Sequence, residues 1–147
     1  MPDFAPEPKL ILPFLRSFYA AVAPLSWPLI RCTAGLMLAV HGWPKVVRLV
    51  DAIGGGSPPR SGITQFVILL IAEFVGGICI SLGLFTRFFA PAAAIELAVI
   101  TFGVYWPIFA WTQRGYEYPL FWGLILFAIS LRGGGPYSLD RRIGREL

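Results

Sequence analysis

Between residues 61 and 131 the chain has 71 consecutive residues with only five formally charged side chains. Those charges are Glu73, Arg87, Glu96, Arg114 and Glu117. A water-soluble domain covers its outside with polar side chains, and this stretch has too few of them to do so. The stretch therefore predicts helices that lie in a lipid bilayer, where the outer surface of a protein is apolar.

The composition of the whole chain agrees with a membrane protein. Its 147 residues are 56% hydrophobic and 14% charged, whereas soluble domains average roughly 25% charged residues. The length fits one compact domain. The formal net charge is +4, and the basic residues gather at predicted helix ends and near the C-terminus. That distribution favours contact with a bilayer and argues against a nucleic-acid partner.

The order of apolar segments and turns predicts an all-α fold, a four-helix transmembrane bundle. Residues 1–24 are predicted to form an N-terminal tail and an interfacial segment bounded by Pro24. Residues 25–131 are predicted to form the transmembrane domain, and 132–147 a short basic cytoplasmic segment. The predicted spans lie at about 25–47, 63–84, 88–111 and 116–131.

The distribution of basic side chains predicts how the helices are oriented. Seven Lys and Arg residues lie on the predicted side that holds both termini, and four lie on the opposite side. Because cytoplasmic loops carry the excess of basic residues, both termini are expected in the cytoplasm. We expect a multi-pass protein of a bacterial plasma (inner) membrane.

Three charged residues are predicted to share one half of the membrane. At about 1.5 Å of rise per residue, Arg31 lies roughly 9 Å, Glu96 12 Å and Glu73 16 Å from the cytoplasmic edge. An unpaired charge at such depth costs at least about 2.5–3.5 kcal/mol. We therefore expect Arg31, Glu73 and Glu96 to face inward and to form one buried charged cluster.

Such a cluster has more than one interpretation. The arginine can pair with the glutamates only to fix the helix register, as in a scaffold or lipid-binding module. Alternatively, one arginine cannot neutralise two glutamates, so one carboxyl is expected to hold a proton, which suits proton-coupled quinone chemistry. A charged interior also suits a transporter of ions or small molecules, although no inverted repeat is evident.

Other residues are secondary candidates. His41, Lys45 and Glu117 lie nearer the opposite boundary, where His41 is a candidate proton relay or quinone partner. Cys32 and Cys79 lie at similar estimated depths and form a candidate thiol pair, although packing as small apolar side chains is the commoner role. One histidine and two cysteines are too few for a structural metal site, and none is expected.

Aromatic residues concentrate near the far ends of the third and fourth spans. Tyr105, Trp106 and Trp111 are expected in an interfacial belt. Tyr116, Tyr118 and Trp122 follow them, mostly as belt residues, with the alternative that this aromatic set lines a cleft for a ring-shaped ligand.

Several short segments together resemble the DoxX family of small four-helix membrane proteins, over most of residues 27–147. The matching segments are RCTAG at 31–35, HGWPK at 41–45, EFVGG at 73–77, GLFTR at 83–87, GYEYPL at 115–120 and GGGPYSLD at 133–140. Family members often carry a histidine near the outer end of the third helix, where this chain has Tyr105–Trp106–Pro107.

The resemblance implies a function in a redox complex. The founding member of the family is the small membrane subunit of a thiosulfate:quinone oxidoreductase, and other members are linked to oxidative or thiol stress. We therefore expect a membrane subunit with a soluble oxidoreductase partner, and a homo-oligomer is also open. The chain has no recognisable motif for flavin, haem or iron–sulfur clusters, so a partner or a diffusible quinone would carry the electrons.

Overall fold

A computed structural model describes residues 10–57 and 62–146. The predicted N-terminal tail at residues 1–9 lies outside the described residues. Throughout the described residues the regular structure is helical and contains no strand. The all-α prediction is therefore confirmed for this part of the chain.

Three helices are long and apolar enough to cross a membrane. Helix α1 spans Arg16–Ile53, α2 spans Ile63–Leu82 and α3 spans Thr86–Tyr105. Two shorter helices follow, α4 at Glu117–Arg132 and α5 at Leu139–Ile143. Helices occupy the positions of the first three predicted spans, although α3 ends at Tyr105 and not near residue 111. A helix of 16 residues occupies the position of the fourth.

Helix α1 differs from its predicted bounds. It begins at Arg16 and continues without a break through Pro24, Pro28 and Pro44. The expected boundary at Pro24 is absent, because a proline inside a helix removes one hydrogen bond and bends the helix without having to end it. Its 38 residues extend over about 57 Å. The helix is therefore longer than a bilayer is thick.

Glycines set the contact between α1 and α2, which is the main contact of α1. A Cβ atom at Gly35 would lie 2.5 Å from the carbonyl oxygen of Gly77, and one at Gly77 would lie 2.5 Å from the backbone nitrogen of Ala39. A Cβ atom at Gly42 would lie 2.5 Å from the backbone nitrogen of Phe74. This close approach fixes the antiparallel register of the two helices.

Helices α3 and α4 form the other closely packed pair. Ala90 and Ala93 on α3 are fully buried, as is Ile129 on α4. Small side chains on α3 thus allow α4 to approach, while its larger side chains fill the space. The two helix pairs meet over a shared core that also includes Leu38 and Ile80.

The segment after α4 folds back over one end of the helices. The indole nitrogen of Trp27 donates a hydrogen bond to the Gly133 carbonyl at 3.2 Å. The Ser138 hydroxyl caps α5 by accepting a hydrogen bond from the Arg141 backbone nitrogen at 3.2 Å. We call residues 133–146 the C-terminal segment. It joins the first helix to the last part of the chain.

Candidate functional site

Arg31 lies apart from both glutamates, which corrects the expected three-residue cluster. Within residues 10–57 and 62–146 no ion pair joins Arg31 to Glu73 or Glu96. Its Nη2 atom donates a hydrogen bond to the Tyr137 carbonyl at 3.3 Å, and its Nη1 atom packs against Gly83. Gly83 is ten residues beyond Glu73 on α2, about 15 Å along the helix axis. The guanidinium therefore belongs to the end covered by the C-terminal segment.

The environment of Arg31 is closed. Its side chain is only 2% exposed, and its Nε and Nη1 atoms have no hydrogen-bond partner among the described residues. Gly83 adopts φ 70°, a left-handed conformation that favours glycine and ends α2. The missing side chain at Gly83 is also what leaves space for the guanidinium.

Glu73 is buried at the opposite end of the α1–α2 contact. It lies in a π-helical turn, Ile71–Val75, within α2. Such turns often occur at functional sites, because the extra residue changes the direction of a side chain. The Glu73 carboxylate forms an ion pair with the Lys45 ammonium of α1. Lys45, a secondary candidate in the sequence, is therefore the cation of this site.

Glu96 on α3 completes the charged group. Its carboxylate lies close enough to the Glu73 carboxylate for the two charges to interact. Both Glu96 oxygens are buried and have no donor partner among the described residues. Two carboxylates and one ammonium leave one negative charge in excess, which is costly in an apolar interior unless a proton or a cation joins them. We call Lys45, Glu73 and Glu96 the charged triad.

A cavity of about 160 Å³ lies beside Glu73 between the helices. Helices α1, α2, α3 and α4 each contribute to its wall. We call it the interhelical cavity, and its lining residues are Ala34, Met37, Leu38, His41, Glu73, Leu97, Ile100, Tyr105, Tyr118, Pro119, Trp122 and Leu126. It combines an apolar surface with a few polar groups, as ligand sites in proteins commonly do.

Aromatic rings form one wall of the interhelical cavity. The His41 and Tyr118 ring centroids are 6.0 Å apart, with 30° between the ring planes. Trp122 follows one turn later on α4, with its centroid 6.2 Å from that of Tyr118. The i, i+4 spacing of Tyr118 and Trp122 places them on one face of the helix. This spacing is the sequence signal that favours a cleft lining over a belt for these two residues.

Tyr105 reaches the interhelical cavity through a second π-helical turn, Thr101–Tyr105. The sequence interpretation placed Tyr105 in an interfacial belt, and no helical periodicity predicts a π turn. The Thr101 hydroxyl is buried there and donates to the Leu97 carbonyl at 2.7 Å. Both π turns of the protein's described residues thus supply a residue to the same cavity wall.

The remaining candidates lie outside the charged triad. The Glu117 carboxylate accepts a hydrogen bond from the Trp111 backbone nitrogen at 3.2 Å, which holds the loop before α4. Cys32 and Cys79 are both free thiols, and the Cys32 thiol donates to the Ser81 carbonyl at 3.2 Å. Residues 10–57 and 62–146 contain no group of three or more His, Cys, Asp or Glu side chains that could hold a metal ion.

Comparison with known proteins identifies a family. The family model described as DoxX matches residues 26–106, more than half of the chain. An uncharacterized protein of Haemophilus influenzae is 26% identical over 125 residues, which cover 80% of this chain and 90% of that protein. No solved structure matches the chain. The family match includes the whole charged triad, whereas Tyr118 and Trp122 lie beyond it.

Proposed function

Because this chain belongs to the DoxX family of membrane proteins, we propose that it is the membrane subunit of a quinone-linked oxidoreductase. It binds the ring of a lipid-soluble quinone in the interhelical cavity. The observation that carries this proposal is the cavity itself, an aromatic-walled space with the buried Glu73 in its lining. Redox or thiol-stress chemistry would be completed by a soluble partner.

The size of the interhelical cavity supports a single ring. Its volume is about 160 Å³, and an engineered apolar cavity of about 150 Å³ holds one benzene molecule. A quinone ring is a similar planar group. The aromatic side chains His41, Tyr118 and Trp122 offer it stacked or edge-on contacts.

The polar groups of the lining suit the two carbonyl oxygens of a quinone. Those oxygens accept hydrogen bonds, and the hydroxyls of Tyr105 and Tyr118 are donors in the lining. His41 offers a ring N–H donor as well. Glu73 lines the cavity, and Glu96 interacts with Glu73 from α3. A positioned carboxyl group can take up or release the proton that accompanies quinone reduction or oxidation.

The membrane arrangement we propose is a four-helix transmembrane bundle in a bacterial plasma membrane, with both termini in the cytoplasm. Helix α4 would be the fourth span. Its 16 residues extend over about 24 Å, somewhat less than the hydrocarbon core, so the bilayer would thin around it. Its exposed side chains are apolar as a lipid-facing surface requires, and include Phe121, Leu124, Phe127 and Leu131.

We expect the soluble partner to bind at the end that carries the C-terminal segment. Arg141, Arg142 and Arg145 are exposed there. Exposed basic residues can bind acidic groups of a partner protein or anionic lipid headgroups. The cofactor that carries electrons would belong to this partner.

Quinone binding can be measured with the purified protein in lipid. A short-chain benzoquinone at about 100 times its Kd should stabilise the folded state by about 2.7 kcal/mol. The melting temperature should therefore rise by several degrees, and tryptophan fluorescence should be quenched because Trp122 lines the cavity.

Two substitutions on α3 provide the matched comparison. Leu97→Phe places a ring in the interhelical cavity and should abolish the shift in melting temperature. Val99→Phe changes an exposed side chain on the same helix and should leave it intact. The proposal fails if native-lipid preparations contain no quinone and the wild-type protein shows no quinone-dependent shift.

A further inference from the structure

A second cavity opens beside the charged triad at the end of α1 and α2 that lies away from the C-terminal segment. Its volume is about 270 Å³. We call it the basic vestibule, and its lining residues are His41, Pro44, Lys45, Arg48, Phe66 and Leu69. Lys45 lies 14 residues from Arg31, about 21 Å along α1. The vestibule and the C-terminal segment therefore lie at opposite ends of the protein.

The Lys45–Glu73 ion pair stands between the two cavities. Lys45 lines the basic vestibule, and Glu73 lines the interhelical cavity. Their side chains are 24% and 10% exposed, so the ammonium faces the more open space. His41 contributes to both walls. The pair thus forms part of the partition between a basic space and an aromatic one, both of which are partly open.

The charges around Glu73 explain why this partition matters. Lys45 pairs with Glu73 from α1 and Glu96 interacts with it from α3, while His41, Tyr105 and Tyr118 line the same cavity as Glu73. A single ammonium serves two carboxylates, and the Glu96 oxygens have no donor among the described residues. A proton delivered by water would neutralise the excess negative charge. The protonated carboxyl group would also provide the hydrogen-bond donor that the Glu96 oxygens lack.

We propose that the basic vestibule is a water-filled access route, and that the Lys45–Glu73 pair closes its inner end. Protons then pass between water in the vestibule and the carboxylates of Glu73 and Glu96, on one side of the membrane only. A hydronium ion in the vestibule transfers a proton to a carboxylate oxygen and becomes water, or the carboxyl group returns the proton to water, and no electron changes place. The use of these protons by a quinone rests on the proposed function, whereas the access route does not.

Cysteine accessibility tests the water-filled vestibule. In a chain with Cys32→Ala and Cys79→Ala, Leu69→Cys lies in the vestibule wall, while Ile68→Cys faces outward on the same helix. Thiols react as thiolates, which form in water and not in hydrocarbon. A charged, membrane-impermeant thiosulfonate should therefore modify Leu69→Cys at least about tenfold faster, and from one face of the membrane only.

Arg48→Cys gives a second position in the same wall, should Leu69→Cys not fold. Its side chain is exposed, so the substitution disturbs no core packing. Equal rates at the vestibule cysteines and at Ile68→Cys would overturn the access route. So would modification from both faces of the membrane.

The closing role of the ion pair has its own test. Leu97→Cys lies in the interhelical cavity, and with Lys45 present it should react slowly with the same charged reagent. Adding Lys45→Ala removes the partition, and the rate from the vestibule side should rise at least about tenfold. An unchanged rate would show that the ion pair does not close the route.

Proton exchange can be followed by infrared spectroscopy. The protein should have a carboxyl C=O band that is lost in Glu96→Gln, and this band should shift on transfer to D₂O. Leu69→Trp fills the vestibule and should slow the shift, whereas Ile68→Trp, on the outward face, should not. The absence of such a band, or equal exchange in both variants, would overturn the proton route.

These measurements use no quinone. Failure of quinone binding with normal vestibule access would reject the proposed function and retain the route. Normal quinone binding without vestibule access would retain the proposed function and reject the route.

Discussion

Lys45 and Glu73 differ in how each can respond to the loss of its partner. Lys45 lies near the end of α1, and its long side chain can extend toward the surface, where its charge is solvated. Glu73 is short, buried and held in the π-helical turn of α2. Loss of Glu73 therefore leaves a lysine charge that solvent can stabilise, whereas loss of Lys45 leaves a buried carboxylate without its partner.

We expect Lys45→Met to destabilise the protein more than Glu73→Gln does. Removing one partner of a buried ion pair typically costs about 3–5 kcal/mol, and the partial exposure of Lys45 lowers this range. The double variant should recover part of the loss, because no charge remains unpaired. Reversible unfolding in mixed micelles would measure all three values. Equal costs for the two single variants would contradict this account of the pair.

Depth estimates from the sequence favoured Arg31 over Lys45 as the partner of Glu73. Depth counted from predicted helix edges takes those edges to be level, and α1 begins well before its predicted start. The glycine contacts provide a better ruler, because Gly35 lies against Gly77 and Gly42 against Phe74. Lys45 follows Gly42 by three residues and Glu73 precedes Phe74 by one, so this register brings the Lys45 side chain within reach of Glu73.

At the scale of the helix, α3 takes its N-terminal cap from a distant part of the chain. The Asp140 carboxylate accepts hydrogen bonds from the backbone nitrogens of Phe85, at 2.7 Å, and Thr86, at 3.0 Å. These groups are among the unpaired donors at the start of a helix, where a negative charge is also favourable. Asp140 is almost fully buried, and its backbone nitrogen donates to the Gly83 carbonyl at 2.9 Å.

Replacing Asp140 should therefore loosen both α3 and the C-terminal segment. Asp140→Ala removes two hydrogen bonds to a charged group, which should lower the free energy of unfolding by about 2–4 kcal/mol. Asp140→Asn keeps an acceptor and should cost less. Asp51→Ala, an exposed carboxylate at the end of α1, is the matched control. Thermal unfolding would show the order, and a cost for Asp140→Ala no larger than that of the control would contradict the capping role.

Helices were more predictable than their ends and their distant partners. Apolar runs located α2 and α3 because a bilayer requires continuous apolar stretches. The passage of α1 through Pro24 was not predictable, since proline both ends and bends helices. The pairing of Asp140 with Phe85 and Thr86 joins residues more than 50 positions apart, and no local pattern specifies it. The π turns at Glu73 and Tyr105 likewise leave no periodic signal.

At the scale of the whole molecule, the proposed four-span topology requires α4 to cross the membrane. If it does, the loop before it and the C-terminal segment lie on opposite faces. In a chain without native cysteines, Thr112→Cys and Arg145→Cys place exposed thiols at these two positions. An impermeant maleimide added to intact cells should label Thr112→Cys alone, and Arg145→Cys should be labelled only after the membrane is opened.

Labelling of both positions in intact cells, or of neither, would show that α4 does not span the bilayer. Labelling of Arg145→Cys alone would reverse the orientation predicted from the basic residues. Equal labelling of denatured samples provides the control for expression of each variant.

The contact of Arg31 with the Tyr137 carbonyl also has a consequence for biosynthesis. The two residues are separated by 106 positions. At about 5–20 residues per second, a ribosome needs roughly 5–20 s to make the second after the first. During that interval the first helix carries the Arg31 guanidinium, while the C-terminal segment that covers it has not yet been translated. During membrane insertion the Arg31 charge must therefore interact with other polar groups for a time, such as phospholipid headgroups or the translocon.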